Sequence, residues 1–128
     1  MKITVFTGCQ PRHVALIECL ADLADIVYAS MEVNTLFPGR VEDFFKRSPV
    51  MQNYFSRVIE VERAEFGYPR FLPSNVRPLP MKAGDLNMLE SSSFKPVWDS
   101  DVMVVFGASY IRKPLVDHLL DRRTLNIH

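Results

Sequence analysis

The last segment of the chain holds a pair of residues, Asn126 and His128, whose types and spacing could do chemistry. Thr124–Ile127 is a short apolar and β-branched run that predicts a strand, and alternate side chains of a strand share a face. The Asn126 amide and the His128 imidazole would then point to the same side. Ligands bind beyond the carboxyl ends of strands in parallel α/β sheets, so the pair is placed to act on a carbonyl group. The alternative is two polar residues at a strand end without a chemical role.

The length and composition of the chain predict one domain of ordinary size. The 128 residues are 48% hydrophobic and 23% charged, which is enough apolar material for a core. Fifteen basic and fifteen acidic residues give no net charge, so we expect neither nucleic acid nor anionic lipid as a partner of this part. No apolar run approaches the roughly 20 residues that span a bilayer, and residues 1–8 do not form a signal peptide. We therefore expect a cytoplasmic protein that does not enter membranes.

Two cysteines, Cys9 and Cys19, are too few for a disulfide framework or a zinc site. Their spacing matches no metal-binding or redox motif. We expect reduced thiols, with Cys19 in the core and Cys9 in a loop.

The two ends of the chain each read as strand, helix, strand. Residues 2–7 form a β-branched run closed by a glycine, residues 14–24 have apolar side chains at helical spacing after Pro11, and residues 26–29 are again apolar. Near the other end, an apolar strand over 100–106 precedes a helix over 114–120. These units and the final strand predict a Rossmann-like α/β fold, an open and mostly parallel sheet with helices on both faces.

Residues 31–98 depart from this simple pattern and read as an irregular, insert-like middle. Ser48 and Pro49 predict the start of a helix whose apolar face covers the sheet and whose acidic end, residues 60–65, is solvated. Before it, we expect a shorter helix around residues 41–45, ended by the proline.

Residues 67–80 contain four prolines and predict an ordered loop without regular structure. Three roles remain open for this loop: a lid over a site, a contact between two copies in a homodimer, or a plain surface excursion. Residues 85–94 predict one helical turn and a connector.

The segment between the first strand and the first helix is a second candidate site. Free backbone N–H groups at a helix start favour an anion, so Gly8, Gln10, Arg12 and His13 are candidates for binding a phosphate or carboxylate of a substrate. A dinucleotide-binding loop needs three glycines in a Gly-x-Gly-x-x-Gly pattern, and only Gly8 is present, which disfavours NAD. The alternative is that Arg12 is solvated and that His13 caps the helix or packs at its start.

The last third of the chain resembles the folate-dependent formyltransferases. In that family an apolar strand ends in a glycine, a short loop contacts the folate, a proline begins the next helix, and the following strand ends in Asn-Ile-His. Gly107, Pro114 and the Asn126-Ile127-His128 triplet stand at the family's spacing without a gap. The resemblance is strong over residues 101–128, weak over 1–30, and absent between them.

This resemblance implies transfer of a formyl group from 10-formyltetrahydrofolate, the formyl donor, to an amine, with no metal. Asn126 would donate a hydrogen bond to the oxyanion that forms when the amine attacks the formyl carbon. His128 would donate as imidazolium or move the proton off the attacking nitrogen. The implied cofactor-binding positions, acting through the main chain at the last three, are Gly107, Tyr110, Ile111 and Arg112.

The family's third catalytic residue is an aspartate some tens of residues after the histidine, beyond the end of this chain. We therefore expect residues 1–128 to be the N-terminal part of a single formyltransferase-like domain, with a sheet incomplete at its C-terminal edge and no activity alone. A small amine or amino sugar is favoured as acceptor over methionyl-tRNA, and the Gly8–His13 loop lacks the glycine-rich cradle for glycinamide ribonucleotide. The alternatives are a formyltetrahydrofolate hydrolase and a non-catalytic module that binds a nucleotide or folate.

Overall fold

A computed structural model of the chain describes residues 1–33, 46–68, 70–88, 90, 92, 95–122 and 124–127. The elements in chain order are β1 (Lys2–Gly8), α1 (Pro11–Leu23), β2 (Ile26–Val33), α2 (Pro49–Phe66), β3 (Val76–Lys82), a 3-10 turn (Asp85–Asn87), α3 (Lys95–Trp98), β4 (Val102–Phe106), α4 (Leu115–Leu120) and β5 (Thr124–Ile127). The helix expected around residues 41–45 and the residue His128 lie outside the described ranges.

The five strands form one parallel sheet in the order β3-β2-β1-β4-β5. The chain adds β2 and β3 on one side of β1 and then returns to add β4 and β5 on the other side. The direction of winding therefore reverses between β1 and β4, which is where open α/β sheets leave a crevice for ligands. The predicted Rossmann-like α/β fold is confirmed.

Alternating side chains of the sheet build two hydrophobic cores, one on each face. The first core lies under α1 and is formed by Ile3, Val5, Ile17, Ala21, Val27, Ala29, Val76 and Val104. The second lies on the opposite face, under α3 and α4, and is formed by Phe6, Leu86, Val97, Met103, Leu115 and Leu119. Helices therefore cover both faces, as the near-continuous apolar strands require.

Helix α2 begins where the sequence indicates, but it packs differently from the expectation. The Ser48 hydroxyl caps it by accepting a hydrogen bond from the Met51 N–H at 3.4 Å, and a proline occupies its first turn. The helix packs against α1, and its exposed apolar side chains include Val50, Tyr54 and Val61. The prediction that its apolar face covers the sheet is wrong, because α1 already occupies that face. No helix in the described ranges is both long and apolar enough to cross a bilayer.

Two further predictions for the middle of the chain are corrected. Strand β2 continues to Val33, four residues beyond its expected end, and the proline-rich segment contributes strand β3. Pro78 and Pro80 are accommodated because β3 lies at the edge of the sheet, where one side of the backbone needs no ladder hydrogen bonds. The 3-10 turn at Asp85–Asn87 confirms the single helical turn expected there.

Neither Cys9 nor Cys19 is in a disulfide bond. Cys9 is half-buried in the loop after β1, as expected. Cys19 is exposed on α1, so its assignment to the core is wrong. The buried face of α1 is formed by His13, Val14, Ile17 and Ala21, and Cys19 lies outside it.

Candidate functional site

The parallel register brings the ends of β4 and β5 together at the carboxyl edge of the sheet. Asn126 pairs with Val105 in the strand register, and Ile127 pairs with Phe106. Alternation along β5 places the Asn126 side chain on the same face of the sheet as the second core. There Asn126 is exposed and lines a cleft of about 720 Å³.

The cleft lies between the end of β4, the loop that follows it, helix α4 and strand β5. Its apolar lining is formed by Val105, Ala108, Ile111, Val116, Leu119, Leu120 and Ile127, and its polar lining includes Ser109, Tyr110, Arg122, Thr124 and Asn126. An apolar cleft with a few convergent polar groups is typical of small-molecule sites. The sequence-predicted residues Gly107, Tyr110, Ile111 and Asn126 thus share one cleft.

The loop after β4, residues 107–112, is held by a side chain from the 3-10 turn. The Asn87 side-chain amide donates to the Tyr110 carbonyl at 2.8 Å, and its carbonyl oxygen accepts from the Arg112 N–H at 2.7 Å. The Tyr110 ring itself is 82% exposed. The sequence predicted main-chain roles at 110–112, and two of those main-chain groups are engaged by Asn87.

A second attachment of the same loop comes from Glu32, near the end of β2. Its carboxylate is 1% exposed and accepts hydrogen bonds from the Ser109 N–H at 2.5 Å, the Ser109 hydroxyl at 2.6 Å and the Gly84 N–H at 2.8 Å. Sequence reasoning missed this residue because it ended the second strand at residue 29 and took residues 31–98 as an irregular middle. The signal was present, since a carboxylate within an apolar strand is a buried charge that requires partners.

The loop after β1 is closed by its own side chains. The Gln10 N–H donates to His13 Nδ1 at 3.1 Å, and the His13 N–H donates to the main-chain carbonyl of Gln10 at 2.9 Å at the start of α1. The His13 ring is 1% exposed and packs edge-on against Phe106, with 5.1 Å between ring centroids. This geometry agrees with the capping role proposed as the alternative for His13.

His13 also fills the crevice between the ends of β1 and β4. A Cβ added at Gly8 would lie 2.8 Å from its Cε1, and a Cβ added at Gly107 would lie 2.3 Å from its Nε2. Because Nδ1 accepts a hydrogen bond, the proton of the neutral ring is on Nε2, which has no hydrogen-bond partner in the part of the chain that the structure describes. Burial, aided by the positive charge of Arg12, lowers the pKa of His13 to about 4.

Arg12, the other candidate anion ligand, points to a different element. Its guanidinium forms an ion pair with Glu62 of α2, a carboxylate that is 7% exposed. The acidic end of α2 is therefore not wholly solvated, contrary to expectation. The pair links α1 to α2 and directs Arg12 away from the cleft, so the four candidates after β1 do not converge on a common site.

The fold and the cleft define a class: an open, parallel, Rossmann-like α/β protein with a candidate small-molecule site at its carboxyl edge, beside the point where the winding reverses. Comparison of the chain with protein-family models, curated proteins and solved structures finds no match.

Proposed function

We propose that the cleft beside β5 binds 10-formyltetrahydrofolate and supports transfer of its formyl group to an amine. The observation that carries this proposal is the placement of Asn126 in an apolar cleft next to the loop over residues 107–112. The family resemblance implies that Asn126 and this loop act at one site. They are separated along the chain, and the parallel pairing of β4 with β5 brings them into one cavity.

The chemistry of the cleft suits the donor. A pterin is a flat ring with apolar faces and a hydrogen-bonding edge, and the cleft has aliphatic walls from β4, α4 and β5. Ile111 lines the cleft, and its main chain has no hydrogen bond within the described residues, so its N–H and C=O remain to pair with a ligand edge. Such main-chain pairing gives orientation without a buried charge.

The reaction requires stabilisation of negative charge on the formyl oxygen. The amine adds to the formyl carbon, the carbonyl electrons move to oxygen, and the bond from the carbon to the folate nitrogen then breaks with transfer of the amine proton to that nitrogen. The Asn126 amide is a neutral N–H donor for the transient oxyanion. His128, by the family resemblance, would assist the proton movement.

The acceptor favoured for this site is a small amine or an amino sugar. The chain has no net charge to attract an RNA backbone. In the loop after β1, which would face an acceptor phosphate in such folds, the N–H groups of Gln10, His13 and Val14 are already hydrogen-bonded. The Arg12 guanidinium is paired with Glu62.

The test is an assay of tetrahydrofolate release from 10-formyltetrahydrofolate by the protein encoded by the complete reading frame, with a panel of amines. Asn126→Ala and His128→Ala should each lower turnover by about 10²-fold or more, the loss found when an oxyanion donor is removed. Asn53→Ala, at an exposed amide on α2, is the matched control and should leave turnover unchanged.

Release that requires an amine supports the transferase. Release in the absence of any amine would identify a hydrolase instead. No turnover with any amine, together with folate binding that neither substitution alters, would overturn the catalytic proposal and favour a binding module.

A further inference from the structure

We infer that Glu32 and Asn87 are positioning residues that fix the 107–112 loop in the conformation that binds the folate ring. This inference rests on the proposed function for its ligand. It assigns a role to two side chains that belong neither to the strands beside the cleft nor to helix α4, and that do not line the cleft themselves.

Asn87 sets the direction of the groups around Ile111. The side-chain amide of Asn87 hydrogen-bonds to the Tyr110 carbonyl and to the Arg112 N–H. These two groups belong to the peptide units on either side of Ile111. In a trans peptide the C=O and N–H of one unit point in opposite directions. The Ile111 N–H and C=O therefore both point away from Asn87, and they form an adjacent donor and acceptor that match the edge of a pterin.

An asparagine suits this position because it carries one donor and one acceptor on a single planar group. Alanine would remove both bonds, and aspartate would keep the acceptor for the Arg112 N–H but lose the donor to the Tyr110 carbonyl. The two variants therefore distinguish the loss of both hydrogen bonds from the loss of one of them.

Glu32 holds the beginning of the same loop. Strand β1 lies between β2 and β4, so the carboxylate reaches past the end of β1 to contact Ser109. It also accepts from the Gly84 N–H in the turn that follows β3. A carboxylate this buried is tolerated because its donors replace water, and these charge-assisted bonds are among the strongest in proteins.

The two attachments together connect the cleft loop to the opposite half of the sheet. Ser109 is 77 residues from Glu32 in the chain, and Tyr110 is 23 residues from Asn87. The position of the loop relative to Asn126 therefore depends in part on β2 and on the segment after β3.

The experiment measures tetrahydrofolate affinity by quenching of protein fluorescence, beside the free energy of unfolding. Asn87→Ala should weaken binding by about tenfold, the equivalent of one or two net hydrogen bonds, and Asn87→Asp by less. Asn75→Ala is the matched control, because Asn75 donates to the carbonyls of Ala21 and Ala24 at the amino end of the sheet. It should lower stability and leave affinity unchanged.

For Glu32 the informative variants are Glu32→Gln and Ser109→Ala, since Glu32→Ala could fail to fold. Both should weaken tetrahydrofolate binding, and in the turnover assay they should raise the KM for the formyl donor while the KM for the amine stays constant. Ser100→Ala is the control: it removes a buried hydroxyl contact with Thr4, 2.7 Å away in the second core. It should alter stability alone.

Amide hydrogen exchange at Ser109 and Arg112 gives a readout that needs no ligand. Faster exchange at these two amides in the variants, with unchanged exchange in β1, supports the positioning role. Wild-type protein that fails to bind tetrahydrofolate would overturn the proposed function, whereas wild-type binding that Asn87→Ala and Glu32→Gln leave unaltered would overturn this inference only. Unchanged exchange at both amides would overturn it as well.

Discussion

The loops after β1 and after β4 flank the same crevice and are built in opposite ways. In the first loop, Gln10 and His13 are hydrogen-bonded to each other, and the His13 imidazole fills the space at the strand ends. Arg12 is paired with Glu62. The second loop is held from behind by Glu32 and Asn87 and leaves its front against an open cleft.

The difference between the two loops indicates which of them has polar groups available for a ligand. A loop whose helix start bonds to its own side chains has few groups left for an anion. A loop whose polar groups are fixed by remote side chains keeps the intervening main chain for a ligand, already oriented. This contrast, more than the fold itself, makes the cleft beside β5 the candidate site.

Gly107→Ala should have the largest effect, because this glycine is where the two loops touch. Its φ is 67°, and the added Cβ would collide with His13 Nε2. We expect a loss of about 3 kcal/mol or more in the free energy of unfolding, measured by urea denaturation. His13→Ala in the same chain should recover part of this loss. If the double variant is no more stable than additivity predicts, the two loops are not in contact.

Acid should destabilise the closed loop through His13. The pKa of His13 is lowered to about 4 in the folded protein, mainly by burial, so the unfolded chain binds more protons between that pH and about 6.5. Stability is then constant above about pH 6.5, falls by about 3 kcal/mol as the pH drops from 6.5 to 4, and loses no more from this group below pH 4. His13→Gln, whose side-chain oxygen can accept the Gln10 N–H, is the control and should show a smaller fall. Equal pH profiles for the two proteins would contradict a buried, neutral imidazole.

Arg12→Ala distinguishes a structural ion pair from an anion ligand. Removing the guanidinium leaves the buried Glu62 carboxylate without its partner, so unfolding free energy should fall by about 2 kcal/mol. Folate affinity and the KM for the amine should not change. A variant that keeps its stability but loses affinity for a phosphate-bearing amine would instead make the first loop part of the site.

Tyr110→Ala should have the smallest effect, although the residue lies in the middle of the cleft loop. Its side chain is 82% exposed, and its structural contact is made by the main-chain carbonyl. We expect a stability change within about 0.5 kcal/mol, as for exposed positions generally, and a change in tetrahydrofolate affinity below about threefold. A larger loss of affinity would show that the ring stacks on the ligand.

Much of the fold could be read from local sequence. The apolar run closed by Gly8, the helix begun at Pro11, the Ser48 cap and the final strand all correspond to observed elements, because periodicity and capping act over a few residues. Strand β3 was not foreseen, since its prolines oppose a strand everywhere except at a sheet edge, and edge position is a property of the assembled sheet.

The candidate site divides in the same way. The sequence alone determined that Asn126 lies near the end of a strand and that a glycine closes the apolar strand before it, which is enough to name the groups that could meet. Only the tertiary structure decided that Glu32 and Asn87 hold the loop between them, that His13 is buried instead of free, and that Arg12 turns toward α2. These contacts join residues up to 77 positions apart, and they form only after the order of the strands has brought particular strand ends together.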